Sequence, residues 1–388
     1  MTRLHRLSVC LSLAVAIGTP VAGSGTGHAA DPISGKPAGP YLAENQGRRD
    51  PRSDPSGGIA SVNDCDRLAA HPDDPQRKAP GLYPWRMDNK AALAACKSAV
   101  GQYPDEPRFN LQYGRALYAT RNYAECFKRY RAAATRGHPL AMVFVGNLYI
   151  GGVGVARDAA AGKKWLRKAH ALKFKMAELA LAVLRLRGLA GVKQDPDKAI
   201  KVIRRWSMQG HPTAQVNLAL AYRAGWGVTR NLAAAFAWYR KAAEQGMPFA
   251  QTQVGLAYEQ ARGAPRSYKR ALKWYRRAAK RKHYRAEYRI GGLYYLGKGV
   301  PKDYAEAFDW WHKSARGGDA MAQFSLGKLY ELGHGPTANR LEAYFWFSLA
   351  AKNEVRGAER NAQRLAGRLT AAQRAEVAQR VAAWKPDR

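Results

Sequence analysis

The chain has few acidic side chains for its length. Its 388 residues include 29 Asp and Glu but 64 Lys and Arg, so the formal net charge at pH 7 is +35. Loss of Arg3 and Arg6 with an N-terminal signal segment would leave +33. A positive excess of this size favours an acidic partner, such as an acidic patch on a protein, an anionic lipid surface or an acidic polysaccharide.

Long apolar runs and cysteines are also scarce. The apolar run at residues 7–17 is shorter than the roughly 20 residues that a membrane-spanning helix needs, and no other stretch approaches that length. The chain has only four cysteines. Because this number is small for the length, a compact scaffold held mainly by disulfides is excluded.

Motifs of known catalytic sites are missing. The sequence has no His-Glu-x-x-His, no Cys-x-x-Cys and no Gly-x-Ser-x-Gly, and its nine histidines are scattered. Ser325 and Lys328 match Ser-x-x-Lys, but no Lys-Thr-Gly or Ser-Asp-Asn accompanies them. His138 and His211 precede helical patterns, where turn positions explain them better than metal ligation. We therefore expect no catalytic residue, no cofactor and no metal site.

What the chain does have is a repeat. Alanine returns at intervals of about 36 residues, and in five of the six units a tryptophan follows 24 residues later. The alanines are Ala141, Ala177, Ala214, Ala250, Ala286 and Ala322, and the tryptophans are Trp165, Trp238, Trp274, Trp310 and Trp346. A fixed period in this range predicts stacked structural repeats.

Each unit has two apolar patterns of helical spacing, separated by glycines that break the chain. The unit is therefore predicted to be a helix, a tight turn and a second, antiparallel helix. A glycine also recurs inside the first helix, at Gly255 for example, and we expect a neighbouring helix to approach closely there. The aromatic residues are expected to fill the space between units, with Trp274 as a large anchor.

The turn and second helix of the unit closely resemble the Sel1-like repeat, a relative of the tetratricopeptide repeat. The matching residues are Gly-x-Gly-Val before an Asp, and Trp-Tyr-x-Lys-Ala-Ala, seen most clearly at residues 297–300 and 238–243. Arg185, Val202 and Ala261 depart from the pattern. The resemblance implies an all-α solenoid that binds proteins without being an enzyme. A β-lactam-related hydrolase is the remote alternative.

The remaining segments complete the predicted organisation. Residues 1–30 have the charge and apolar pattern of a secretory signal peptide, and residues 31–62 have the composition of a disordered linker. We expect residues 63–137 to form a tetratricopeptide-like N-terminal cap, residues 138–354 to form six Sel1-like repeats, and residues 355–388 to form capping helices. Thr370 and Gln373 predict a capping box in that last segment.

Export and the remaining cysteines lead to a disulfide prediction. Cys65 and Cys96 flank a Pro-rich stretch, and an exported protein meets oxidising conditions, so we expect them to be bridged. Cys126 is expected to be an apolar residue of a helix.

The positive charge is densest at residues 262–289, which hold twelve Lys or Arg and one acid. Eight of these cations form the basic stripe: Arg266, Lys269, Arg270, Lys273, Arg276, Arg277, Lys280 and Arg281. The stripe is predicted to contact an anionic partner, and a plain solvated face is the alternative. Nucleic acid is disfavoured because the protein is expected to be exported.

Taken together, these features predict an exported, non-enzymatic scaffold or regulator in the cell envelope, with a periplasmic location. A protein partner would bind in the groove of the solenoid. The alternative function is a binder of anionic envelope polymer or lipid, acting through the basic stripe.

Overall fold

Residues 62–335 and 338–387 are described by the computed structural model. The predicted signal peptide and all but residue 62 of the predicted linker lie outside the described residues. Eighteen α-helices and one short 3-10 helix, Pro84–Arg86, make up the described part. In chain order the α-helices are α1 Asp64–Ala69, α2 Asn89–Gln102, α3 Pro107–Ala119, α4 Tyr123–Thr135, α5 Pro139–Gly151, α6 Ala159–Ala171, α7 Lys175–Arg187, α8 Pro196–Met208, α9 Pro212–Ala224, α10 Leu232–Glu244, α11 Pro248–Gln260, α12 Tyr268–Ala279, α13 Tyr284–Leu296, α14 Tyr304–Arg316, α15 Ala320–Leu332, α16 Arg340–Lys352, α17 Ala358–Ala366 and α18 Ala371–Ala383.

The helix ends follow from residues that recur in each unit. Every second helix begins after a side chain whose oxygen accepts the backbone N–H three residues on, which satisfies an otherwise unpaired donor. These caps are Asp158, Asp195, Asn231, Ser267, Asp303 and Asn339. Every first helix ends at a left-handed residue, which is glycine except at Ala261, where φ is 55°. The six helix pairs α5–α6 to α15–α16 are units 1 to 6.

The glycine inside the first helix makes room for a side chain of the second helix. A Cβ built on Gly255 would lie 2.4 Å from a ring carbon of Tyr275, and Trp311 and Phe347 fill the same space beside Gly291 and Gly327. The expected close approach of helix backbones occurs in unit 1, where a Cβ on Gly146 would meet the carbonyl oxygen of Gly162 at 2.9 Å. At Gly255, Gly291 and Gly327 an aromatic ring of the second helix, and not its backbone, occupies the space beside the glycine.

The main aromatic anchor is the residue after the repeated tryptophan, which corrects the expectation for Trp274. Tyr275 is fully buried, whereas Trp274 is partly buried and packs at the rim of the core. A cation three residues on covers the exposed side of the tryptophan, because an aromatic face attracts positive charge. Arg277 lies 4.5 Å from the Trp274 ring centroid, and Lys241 lies 4.3 Å from that of Trp238.

Both ends of the solenoid are covered. The core runs without interruption from Cys65 to Ala221, so the N-terminal helices α1–α4 pack on unit 1 and the repeats that follow. Cys65 and Cys96 form a disulfide in the structure. At the other end Thr370 and Gln373 form the predicted capping box, and Val377 of α18 is buried beside Trp346.

The N-terminal helices also contact the junction turn between units 5 and 6. Arg121, in the turn after α3, donates a hydrogen bond to the carbonyl of Gly317 at 3.4 Å, across 196 residues of sequence. The N–H of Asp387 donates to the carbonyl of the neighbouring Arg316 at 2.9 Å. No helix in the described part of the chain is long and apolar enough to cross a membrane.

Candidate partner-binding site

A segment of the N-terminal region, residues 71–87, crosses the repeats and is here named the strap. It lies between α1 and α2, whose cysteines are joined by the disulfide. Leu82 N–H donates to the Ala70 carbonyl at 2.8 Å, and the buried Arg115 donates to the carbonyls of Ala69 and Leu82. Burial lowers the pKa of Arg115 to about 10, so this side chain remains a cation at neutral pH. The strap is therefore fixed at both ends.

Two neighbouring aspartates of the strap reach histidines that are two units apart. Asp74 Oδ1 lies 3.2 Å from His138 Nε2, with both side chains fully buried, and Asp73 Oδ2 lies 3.1 Å from His211 Nε2. The strap therefore lies across the junction turns, which connect one unit to the next, from the turn before unit 1 to the turn before unit 3.

Further along, the strap reaches the junction between units 3 and 4. Trp85 Nε1 donates to the carbonyl of Gln245 at 3.3 Å, and its ring stacks on Tyr83 with centroids 4.8 Å apart. The strap thus contacts the junction turns from the start of unit 1 to the start of unit 4. From sequence this segment is assigned only to a terminal cap, because no local pattern relates residue 73 to residue 211.

The strap holds a neutral histidine beside an ionised aspartate. Burial, with the nearby Arg115, lowers the pKa of His71 to about 3, and its Nδ1 accepts the Asp73 N–H at 3.0 Å. Burial alone would raise the pKa of Asp73, but the hydrogen bond and charge of His211 lower it to about 2. His138 and His211, the two histidines considered above as possible metal ligands, therefore contact aspartates, and no group of three metal-ligating side chains occurs within residues 62–335 and 338–387.

A cationic pocket of about 240 Å³ remains where the strap ends. Its wall is built from the strap, the junction turn between units 3 and 4, and helices α11 and α12 with the turn that follows. The lining residues are Trp85, Arg86, Glu244, Gln245, Gly246, Gln251, Arg277, Lys280 and Arg281. The acid in this set, Glu244, lies 3.4 Å from Arg240, so four cations face the pocket with little opposing charge.

The basic stripe is divided between this pocket and the outer surface. All eight side chains are exposed, and three of them, Arg277, Lys280 and Arg281, line the pocket. Of the other five, Arg276 donates to the Tyr294 hydroxyl at 2.7 Å, and Arg270 lies over the Tyr258 ring. The structure adds Arg86, from the strap, which the sequence analysis did not connect with the stripe.

The paired helices, the sequential packing of the units and the terminal caps define an α-solenoid repeat protein. Six copies of the Sel1 repeat match at residues 139–172, 175–211, 212–247, 248–283, 285–319 and 320–355. The chain belongs to the Sel1 repeat family. Sel1 repeats generally mediate protein–protein interaction, and such scaffolds are generally non-enzymatic.

Solved structures of similar proteins include a Sel1 repeat protein from Oxalobacter formigenes. It is 30% identical, with a TM-score of 0.51, and the match covers 72% of this chain and 82% of that chain. The protective antigen c5321 of uropathogenic Escherichia coli, which displays an SLR fold, is 23% identical over 74% of this chain and 78% of its own, with a TM-score of 0.33. The immunity protein Pa5087 of Pseudomonas aeruginosa is 21% identical over 60% and 74%, with a TM-score of 0.33. No curated protein matches the chain.

Proposed function

We propose that this protein is an exported, non-enzymatic scaffold or regulator of the cell envelope that binds a protein partner beside the strap. The observation that carries the proposal is the strap itself. Because it covers the junction turns from unit 1 to unit 4, the partner is expected to bind where the strap ends, at the cationic pocket. Family membership supports protein binding as the general activity.

Export is supported by two features of the chain. Residues 1–30 have the pattern of a signal peptide, and the disulfide between Cys65 and Cys96 is of a kind that persists in oxidising compartments. Fusing residues 1–62 to a phosphatase that is active only after export tests this part of the proposal. Activity in the envelope fraction is expected, and activity confined to the cytoplasm would contradict it.

Partner binding is tested by affinity capture from envelope extract with two matched variants of the full chain. Arg86→Gln changes the strap wall of the pocket, whereas Arg131→Gln removes the same charge from an exposed position on α4. We expect a protein that the parent and Arg131→Gln recover and Arg86→Gln loses. Recovery of the same proteins by the parent and both variants would contradict the proposal. So would a capture in which the folded parent recovers no more protein than a heat-denatured sample of the same chain.

A second candidate function, binding of an anionic polymer or lipid, is favoured by the exposure of all eight stripe cations. It predicts that binding to acidic polysaccharide or anionic vesicles collapses between about 50 and 300 mM salt, because exposed charges are screened. A variant with four stripe residues changed to Gln should then lose this binding while staying folded. The four are Arg270, Lys273, Arg277 and Lys280. If the variant binds as the parent does, the stripe does not contact the polymer or lipid and is only a solvent-exposed face.

A further inference from the structure

Buried glutamines mark the same position in three units, directly after the repeated alanine. Gln215, Gln251 and Gln323 are 4%, 7% and 0% exposed. Each donates from Nε2 to the carbonyl eight residues earlier, at 3.3, 3.1 and 3.4 Å. This shared hydrogen bond fixes which amide atom is nitrogen, so the oxygen Oε1 of each glutamine is left as an acceptor that needs a donor.

In units 3 and 6 the donor comes from the next junction turn. Gln245 Nε2 donates to Gln215 Oε1 at 2.9 Å, and Asn353 Nδ2 donates to Gln323 Oε1 at 3.2 Å. Each of these donors lies 30 residues after the glutamine that it serves. In these two units a side-chain amide 30 residues later therefore supplies the hydrogen bond that the buried glutamine oxygen needs.

Unit 4 breaks this rule. The residue 30 positions after Gln251 is Arg281, and Gln251 Oε1 is buried with no hydrogen-bond partner. Both residues line the cationic pocket. A buried acceptor without a donor is unfavourable, so a ligand that supplies an N–H or O–H here is favoured over one that has none. The pocket thus exists where the repeat replaces an internal amide by an arginine.

The pocket selects the chemistry of its occupant. Arg86, Arg277, Lys280 and Arg281 require negative charge, whereas Gln251 requires an N–H or O–H donor close by. A volume of about 240 Å³ holds roughly eight waters at ~30 Å³ each and falls below the ~300–1,000 Å³ of sites for drug-sized ligands. One acidic side chain with its own backbone amide meets all three conditions. Sulfate supplies no donor, whereas hydrogenphosphate carries an O–H and is distinguished from a carboxylate by competition in the binding test.

We propose that the pocket binds an aspartate or glutamate side chain of an acidic, extended peptide segment. The carboxylate pairs with Arg281 and its neighbouring cations, and a backbone N–H of the segment donates to Gln251 Oε1. Bidentate pairing of guanidinium with carboxylate gives the site its specificity. This proposal rests on the proposed function, because it names the chemistry by which the protein partner is recognised.

The decisive variant is Arg281→Gln, which restores the amide found at the same place in unit 3. It should close the pocket by donating to Gln251, leave the melting temperature unchanged or higher, and weaken binding. The matched control is Arg266→Gln, which removes the same charge from a stripe residue that does not line the pocket. The probe is a fluorescein-labelled pentapeptide with two glutamates separated by glycines, compared with its glutamine counterpart by fluorescence anisotropy.

We expect the parent to bind the glutamate peptide at least tenfold more tightly than the glutamine peptide. Arg281→Gln should weaken binding about tenfold or more, as expected for loss of a hydrogen bond to a charged group, and Arg266→Gln less than twofold. Equal losses in both variants would reduce the effect to net charge and overturn the proposal. Equal binding of both peptides, or equally tight competition by inorganic phosphate or polygalacturonate, would also overturn it.

The affinity capture described above separates this proposal from the proposed function. If the glutamate peptide does not bind but Arg86→Gln still loses a protein that the parent recovers, the ligand assignment is wrong and the scaffold function stands. If neither peptide nor protein binds, both proposals fail.

Discussion

Replacing Tyr275 with alanine tests which aromatic side chain holds the fourth unit together. Tyr275 is fully buried, its ring occupies the space left by Gly255, and its hydroxyl donates to Glu259 Oε2 at 2.5 Å. Burial and the neighbouring Glu259 raise the pKa of the hydroxyl, which therefore remains a donor. Because α11 and α12 hold the walls of this space apart, truncation leaves a cavity, and large aromatic truncations of this kind cost about 3–5 kcal/mol.

Trp274 is the matched comparison because it is the adjacent residue and the larger side chain. Its ring is partly buried and Arg277 covers it from solvent, so removing the ring opens no closed cavity. The loss is then mainly the transfer of apolar surface, about 2 kcal/mol at ~25 cal/mol per Å². Tyr275→Phe should cost about 1 kcal/mol, since the ring stays and only the hydrogen bond to Glu259 is lost.

Urea denaturation followed by circular dichroism measures these losses, and amide hydrogen exchange places them along the chain. In a solenoid each unit contacts mainly its neighbours, so Tyr275→Ala should speed exchange first at residues 248–283. A loss for Trp274→Ala equal to or above that for Tyr275→Ala would refute the assignment of Tyr275 as the anchor. Uniform exchange along all units would refute its local role.

Three further predictions concern the backbone, the pH dependence and the disulfide. Ala261→Gly should stabilise the protein by about 0.5–1 kcal/mol in urea melts, because φ of 55° strains a residue with a Cβ; a loss of stability would contradict this. His71 stays neutral in the folded protein, so its stabilising contribution is complete above pH 6.5 and is lost as the pH falls towards 3. The free energy of unfolding should be lower by about 2 kcal/mol at pH 5. Asp73 should add a further loss between about pH 4 and 2. A melting temperature that rises on acidification would argue against this role of His71. So would a His71→Gln variant that loses as much stability as the parent between pH 6.5 and 5. Peptide mapping of the protein purified without reductant should find Cys65 linked to Cys96, and two free thiols there would exclude the bridge.

The helices and their boundaries could be predicted because their causes are local. The repeated Asp, Asn and Ser caps, the glycines after each first helix and the capping box at Thr370 all act within a few residues of sequence. The period then predicted how the units follow one another. The basic stripe was visible for the same reason, since its members lie on one helix and its flanks.

The anchor was assigned to the wrong residue because two aromatics are neighbours in the repeat. Trp274 and Tyr275 both fall within the apolar pattern, and residues one apart on a helix point about 100° away from each other. Only packing against the first helix decides which of them enters the core. Gly255 was the available signal, since the space it leaves is matched by one ring.

The sequence alone determined that this chain is a solenoid of six helix pairs with caps, because each unit repeats the same local signals and buries its apolar face against the next. Tertiary structure decided how the strap and the cationic pocket are assembled. His138 and His211, two units apart, meet adjacent aspartates of the strap. The strap also places Arg86 at the same pocket as Arg281, which occupies the position where unit 3 has the amide donor Gln245. These contacts join residues more than a hundred positions apart or depend on one exception to the repeat, and no local pattern encodes them.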